Sequence, residues 1–231
     1  MRCTPEPASP GAPHAAVRPL LGQRLLIATG RRARTDGLDL AAAGVTTDER
    51  GLVMVDEAQG ASNPRVYAAG EVTGAPQYIY VAAAAGRAVA VNALAADGSR
   101  PARVDYSGLP SVVFTRPQLA SAGPTEAEAL ALGHDCMCRV LGLADVPRAL
   151  VNRDTRGAVK LVADAGTGRL LGVHALAEGA GELMLAATYA IRAGMTVDDI
   201  ADTWAPYLTM AESLRIAAGL FRNELPTSCC A

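Results

Sequence analysis

The sequence predicts an α/β segment followed by an α+β domain, and three observations carry that reading. Residues Arg65–Gly86, RVYAAGEVTGAPQYIYVAAAAG, run from a short β-prone stretch through a glycine, an acid and a loop into an alanine-rich helix start. That order is the layout of a ligand site at the carboxyl edge of an α/β sheet. Asp97-Gly98-Ser99-Arg100-Pro101 gathers breaker residues and marks a boundary. Beyond it, strands precede a run of helices, which is the pattern of an α+β domain. The chain therefore divides into a leader over 1–23, an α/β portion over 24–101 and an α+β domain over 102–231.

The elements follow in order. Residues 1–20 hold five prolines among glycine, serine and alanine, and are read as disordered. Leu25–Ala28 is a short apolar run read as a buried strand closed by Thr29-Gly30. Arg31, Arg32 and Arg34 are either a solvated loop or contacts for a phosphate or an acid. Leu38–Ala43 is a short helix or turn ended by Gly44, Leu52–Val55 a strand and Asp56–Pro64 a loop. Val66–Ala69 is the strand before Gly70-Glu71, and the helix from Val81 extends to about Ala96. In the second domain, Ser111–Thr115 and Leu119–Ala122 are strands about an Arg116-Pro117 turn. Thr125 and Glu128 have the spacing of a capping box for a helix through Leu132 that Gly133 ends. Cys136–Leu143 and Arg148–Asn152 read as extended. Asp164-Ala165-Gly166-Thr167-Gly168 separates two apolar runs, Ala158–Val162 and Leu170–Leu176, as the turn of a hairpin. Helices follow at about Gly181–Ala193, Thr196–Asp202 and Thr209–Phe221, with Met210, Leu214, Ala217, Ala218 and Phe221 on one face of the last.

Bulk properties exclude several function classes. A net charge of −2 and few aromatic residues give no basic stripe and no stacking platform for nucleic acid. No run of eighteen apolar residues marks a membrane span, and the N-terminus lacks the continuous apolar core of a secretory signal. Five cysteines, two of them adjacent near the C-terminus, make a poor disulfide framework. The expectation is a cytoplasmic protein with free thiols.

Few residues stand out chemically. Glu71, after Gly70 at a strand end, is either an acceptor for a ribose or ribityl hydroxyl or a solvated loop acid. The helix start near Val81 could present exposed N–H groups and partial positive charge to a bound ring. Cys229-Cys230 would close only a strained ring as a disulfide, so it reads as a dithiol: a pincer for a soft ion, or incidental tail thiols. Cys136 and Cys138 share a strand face and read as core packing. Tyr207, with Glu212 five residues on, either presents its phenol to a site or packs at a helix start. His14, His134 and His174 share no motif. GxSxG, Walker A, HExxH and GxGxxG patterns are all absent.

LLIATGR (Leu25–Arg31), VYAAGEVTGAPQYIYVAAAAGRA (Val66–Ala88) and SVVFTRPQLASAG (Ser111–Gly123) together resemble the flavin-dependent pyridine nucleotide–disulfide oxidoreductases. VPRALVNRDTRGAVKLV, PYLTMAESLRIAA and the terminal SCC narrow the resemblance to the mercury-reducing members. It runs from Leu25 to Ala231 and implies a partial FAD-binding domain followed by a homodimerisation domain from about Tyr106. It also implies NADPH as reductant and Hg(II) as the ion reduced. Gly70 and Glu71 would lie against the FAD ribityl chain, where the family usually has aspartate. Ile79 would meet the flavin through its backbone, and the helix from Val81 would point at the isoalloxazine. Tyr207 replaces the histidine that thiol-reducing relatives pair with a glutamate at the Glu212 position. With an ordinary pKa of about 10, a tyrosine does not serve as that base near neutrality. Cys229 and Cys230 would collect Hg(II) and pass it to the redox pair of the partner subunit. The sequence carries no GxGxxG, CxxxxC pair or NADPH domain. The expectation is therefore the C-terminal part of such an enzyme, without turnover of its own. Alternatives are a non-catalytic dimeric Hg(II)-binding module, an inactive remnant, or part of another FAD-dependent disulfide reductase.

Overall fold

The computed structural model describes residues 2–3, 20–96 and 101–223. Contacts divide the chain into two compact units, Met1–Val104 and Asp105–Ala231.

The first unit is built from loops, turns and one long helix. Strands β1 (Arg2–Cys3) and β2 (Leu20–Leu21) pair antiparallel, so these four residues depart from the expected unstructured leader. Leu25–Ala28 is not the expected buried strand. Among the described residues nothing pairs with it, and Leu26 and Ile27 are 88% and 74% exposed. An apolar run becomes a strand only when a neighbouring edge takes its N–H and C=O groups and its faces are covered. The expected strands Leu52–Val55 and Val66–Ala69 are reduced to isolated antiparallel bridges, Thr47 with Val53, Val55 with Ala61, and Gly60 with Tyr67. Leu38–Ala43 is a turn ending at Gly44, whose φ of 68° suits glycine.

Helix α1 (Ile79–Ala93) begins two residues before and ends three residues before the expected bounds. Its alanines favour helix. Val81, Ala85 and Ala88, at i, i+4 and i+7, bury one face, joined in the unit's core by Val45 and Val53. Asn92 anchors the helix end, donating to the carbonyls of Ala58 and Ala102 at 2.8 Å each.

The second unit centres on a five-stranded antiparallel sheet, in the order β3 (Pro110–Val113), β4 (Gln118–Ala122), β7 (Leu170–Ala177), β6 (Ala158–Asp164), β5 (Cys136–Gly142). β6 and β7 form the expected hairpin, its turn held by Asp164, which accepts from the Thr167 N–H at 2.8 Å. Alternation sorts the side chains. Ala120, Ala175, Val173, Leu161, Val159 and Leu141 share one face by register and are buried. α4 (Ala180–Ala193) packs on β3, β4 and β7, and α6 (Glu212–Gly219) on β5 and β6. Ala217 and Ala218 of α6 are fully buried, with Met210, Leu214 and Phe221 packed beside them, as the helical spacing predicts.

α2 (Glu126–Ala131) carries the predicted capping box: the Thr125 hydroxyl accepts from the Glu128 N–H at 3.3 Å, and Glu128 accepts from the Thr125 N–H at 2.8 Å. α5 (Val197–Asp202) repeats the device with Thr196 and Asp199. One extended expectation is wrong. Residues 148–152 lie in or at the end of α3 (Pro147–Val151). Pro147 occupies N1, where its fixed φ suits a helix and its missing N–H loses no bond. The turn buries Val146 and Ala149 in the core.

Candidate flavin wall and helix-start tyrosine

In the first unit, Gly70 and Glu71 open a short 3-10 helix, Gly70–Thr73. Gly70 has a φ of +81°, and a Cβ there would lie 3.1 Å from the Cβ of Ala82 in α1. Only glycine lets the loop and helix start approach this closely. The Thr73 hydroxyl donates to the Gly70 carbonyl at 2.8 Å, and the Val53 N–H to the Val72 carbonyl at 2.9 Å. Glu71 is thereby presented from a braced turn. Its carboxylate accepts from the Arg31 guanidinium at 2.5 Å. Arg31 thus contacts an acid, one of the two roles its loop allows. Arg31, Arg32, Arg34, Arg50, Glu71 and Gln77 line a cleft of about 690 Å³.

α1 starts beside this cleft. It has no acid in its first turn and no side-chain cap on Tyr78, so nothing of its own offsets the positive end of its dipole. Ile79 is 90% exposed. The Val81 side chain, in contrast, is 2% exposed and faces the core, and its N–H bonds to the Tyr78 carbonyl at 3.1 Å. Val81 therefore anchors the helix start and presents no side chain to a ligand. Gly70, Glu71 and Ile79 fit one side of a cofactor site: a close backbone turn, a half-exposed acceptor and an open helix start.

In the second unit, Tyr207 precedes α6 and is 55% exposed. Glu212 is buried, and its Oε2 accepts from the Leu208 N–H at 2.8 Å, with Arg215 at 3.9 Å. Leu208 has a φ of +63°, a conformation costing a leucine about 1–2 kcal/mol. Glu212 holds that kink and so fixes where Tyr207 leaves the chain. Cys229 and Cys230 lie outside the described residues.

Two features escaped sequence reasoning. The pairing of Arg31 with Glu71 spans 40 residues and leaves no local signal. The left-handed Leu208 was illegible because leucine is not a residue that advertises positive φ.

Residues 109–218 match the pyridine nucleotide-disulphide oxidoreductase dimerisation domain, and residues 16–86 match the pyridine nucleotide-disulphide oxidoreductase domain. The chain is 57% identical to the mercuric reductase of Streptomyces lividans over 208 residues, 90% of this chain and 43% of that protein. It is 46% identical to that of Lysinibacillus sphaericus, over 90% of this chain and 38% of the relative. The chain thus spans about two fifths of the length of these curated relatives. Among solved structures, the HOCl-induced flavoprotein disulfide reductase RclA of Escherichia coli superposes with a TM-score of 0.78 at 32% identity, covering 90% of this chain and 47% of RclA. LpdA of Mycobacterium tuberculosis superposes at 0.79 and 28% identity, covering 89% of this chain and 44% of LpdA. The two domain matches are consecutive, belong to one family and together take in most of the residues, so the chain belongs to the pyridine nucleotide-disulphide oxidoreductase family.

Proposed function

We propose that this chain is part of a cytoplasmic, homodimeric mercuric reductase, contributing one wall of the FAD site and the dimerisation domain. The observation that carries the reading is the 57% identity to the Streptomyces lividans mercuric reductase across 90% of the chain. The reaction would be Hg(II) with NADPH to give Hg(0), NADP⁺ and a proton. FAD, when bound, supplies the two-electron relay between reductant and ion. Glu71 would accept a hydrogen bond from the ribityl chain, with Arg31 holding its carboxylate. Gly70 would keep that turn close to α1. The α1 start at Ile79 would lend its dipole to electron-rich ring atoms. Tyr207 would face the ion path as a hydrogen-bond donor, placed by the Glu212–Leu208 contact. Cys229 and Cys230 would receive Hg(II) as thiolates, the proton leaving each sulfur as the metal binds.

A second reading, another flavoprotein disulfide reductase, draws on the 32% identity to RclA, one structure of which is a Cu(II) complex. A chimera separates the two. Residues 24–231 replace the matching portion of the Streptomyces lividans enzyme, and NADPH-dependent release of Hg(0) is measured. Retained Hg(0) release, lost on Cys229→Ala/Cys230→Ala, supports the mercuric reading. A folded, FAD-loaded chimera that reduces a disulfide or Cu(II) but not Hg(II) would overturn it.

A further inference from the structure

Cys136 and Cys138 were expected to pack in the core, and they do not. The core face of β5 carries Leu141, while both cysteines turn to the opposite face, where α2 crosses the edge of the sheet. Each is half-buried and neither is in a disulfide. Three groups surround them. The Cys136 thiol lies 3.9 Å from the Glu126 carbonyl of α2. The Glu126 carboxylate lies beside the Cys138 thiol and is paired with the Lys160 ammonium at 2.6 Å. Asp164 stands opposite Cys136 in the ladder.

We propose that Cys136 and Cys138 form a second thiol site on this chain, separate from the terminal pair, for a soft two-coordinate ion such as Hg(II). Geometry selects the ligand. Residues i and i+2 of a strand are about 6.4–6.8 Å apart at Cα. That is the outer limit for a disulfide, whose Cα atoms are usually about 5.5–6 Å apart. A metal between the sulfurs adds a bond length and relieves the mismatch. Number of ligands excludes the harder alternatives. Among the described residues no group of three or more His, Cys, Asp or Glu side chains could hold a metal. Structural zinc takes four ligands, whereas a thiophilic linear ion needs two.

Binding breaks two S–H bonds and forms two S–metal bonds, releases two protons to solvent and transfers no electrons. Burial, then the neighbouring Glu126 carboxylate, push the Cys138 thiol up to about 11. The metal itself displaces the thiol protons as it binds. Lys160 stands ready to offset thiolate charge once the metal has bound.

The test is native mass spectrometry of the full chain carrying Cys3→Ala, Cys229→Ala and Cys230→Ala, incubated with Hg(II) and excess glutathione. The expected result is one retained Hg(II) per chain, lost when Cys138→Ser is added, with no Zn(II) retained under the same conditions. Retention of no Hg(II) by the folded triple variant would overturn the proposal. Should the variants fail to fold, peptide mapping of the unsubstituted chain serves. Hg(II) protection of both Cys136 and Cys138 from N-ethylmaleimide supports the site, and unchanged labelling of the two contradicts it.

Discussion

Among the described residues, the unit from Asp105 onward buries twenty-four hydrophobic side chains, and the unit before it buries five. The later unit satisfies its backbone through four antiparallel ladders and two capping boxes. The earlier one has isolated bridges, exposed apolar residues at Leu26, Ile27 and Ile79, and a buried Gln59 whose Oε1 has no hydrogen-bond partner among the described residues. Such an atom costs about 1–3 kcal/mol. The first unit also carries strand-prone apolar runs at Leu25–Ala28, Leu52–Val55 and Val66–Ala69, so such runs alone do not make a ladder. What differs is whether each apolar run has an edge to pair with. The candidate cofactor residues Gly70, Glu71 and Ile79 lie in the unit with the smaller core, and the Leu208 kink beside Tyr207 lies in the unit with the larger one.

Four substitutions and one condition would break or sharpen this contrast. Leu161→Ala, 1% exposed on the interior strand β6, should destabilise the second unit by about 2–5 kcal/mol, seen as a lowered thermal midpoint. Val53→Ala in the first unit should cost less, about 1.6 kcal/mol at roughly 0.8 kcal/mol per buried methylene. Equal effects would remove the contrast. Gly70→Ala should cost about 1–2 kcal/mol for its left-handed φ and loosen the α1 start, measured as faster proteolysis around residues 70–82. Thr125→Ala should cost about 1 kcal/mol, confined to the second unit, by removing one half of the α2 box.

Acid should weaken the second unit through its caps. The Thr125 N–H holds Glu128 below its ordinary 4.5, the Thr196 N–H lowers Asp199, and Arg156 holds Asp154 at about 2. Carboxylates with lowered folded pKa values stabilise above the unfolded value and lose that contribution as they protonate. The midpoint should therefore be flat above about pH 4.5 and fall from there toward pH 2, a decline that Glu128→Gln and Asp199→Asn together reduce. Glu128 and Asp199 are solvent-exposed and Asp154 is only partly covered, so this is the smallest of the effects.

The second unit was largely legible in the sequence because its signals are local. The Asp164–Gly168 turn, the Thr125/Glu128 box and the helical spacing of Leu214, Ala217, Ala218 and Phe221 each act within a few residues. Residues 148–152 failed because a five-residue stretch with only Ala149, Leu150 and Val151 apolar is ambiguous until Pro147 is recognised as N1. Leu25–Ala28 failed for a different reason: a buried strand depends on partners elsewhere. In the candidate site, Gly70 and Glu71 stood out from their order on the chain, whereas Ile79 came only from the resemblance to the family. The Val81 side chain could not be placed, because the same i, i+4 pattern fits core and ligand alike. Cys136 and Cys138 were assigned to one face correctly and to the core wrongly. Alternation gives the face but not which face the helices cover.

Native-state hydrogen exchange of the chain tests the contrast most directly, since it reads protection amide by amide. The account predicts that amides of β4, β6, β7 and α4 exchange only through global opening of their unit, while Leu25–Ala28 and the bridged residues 47–55 exchange orders of magnitude faster. Protection of Leu25–Ala28 equal to that of β6 would contradict it.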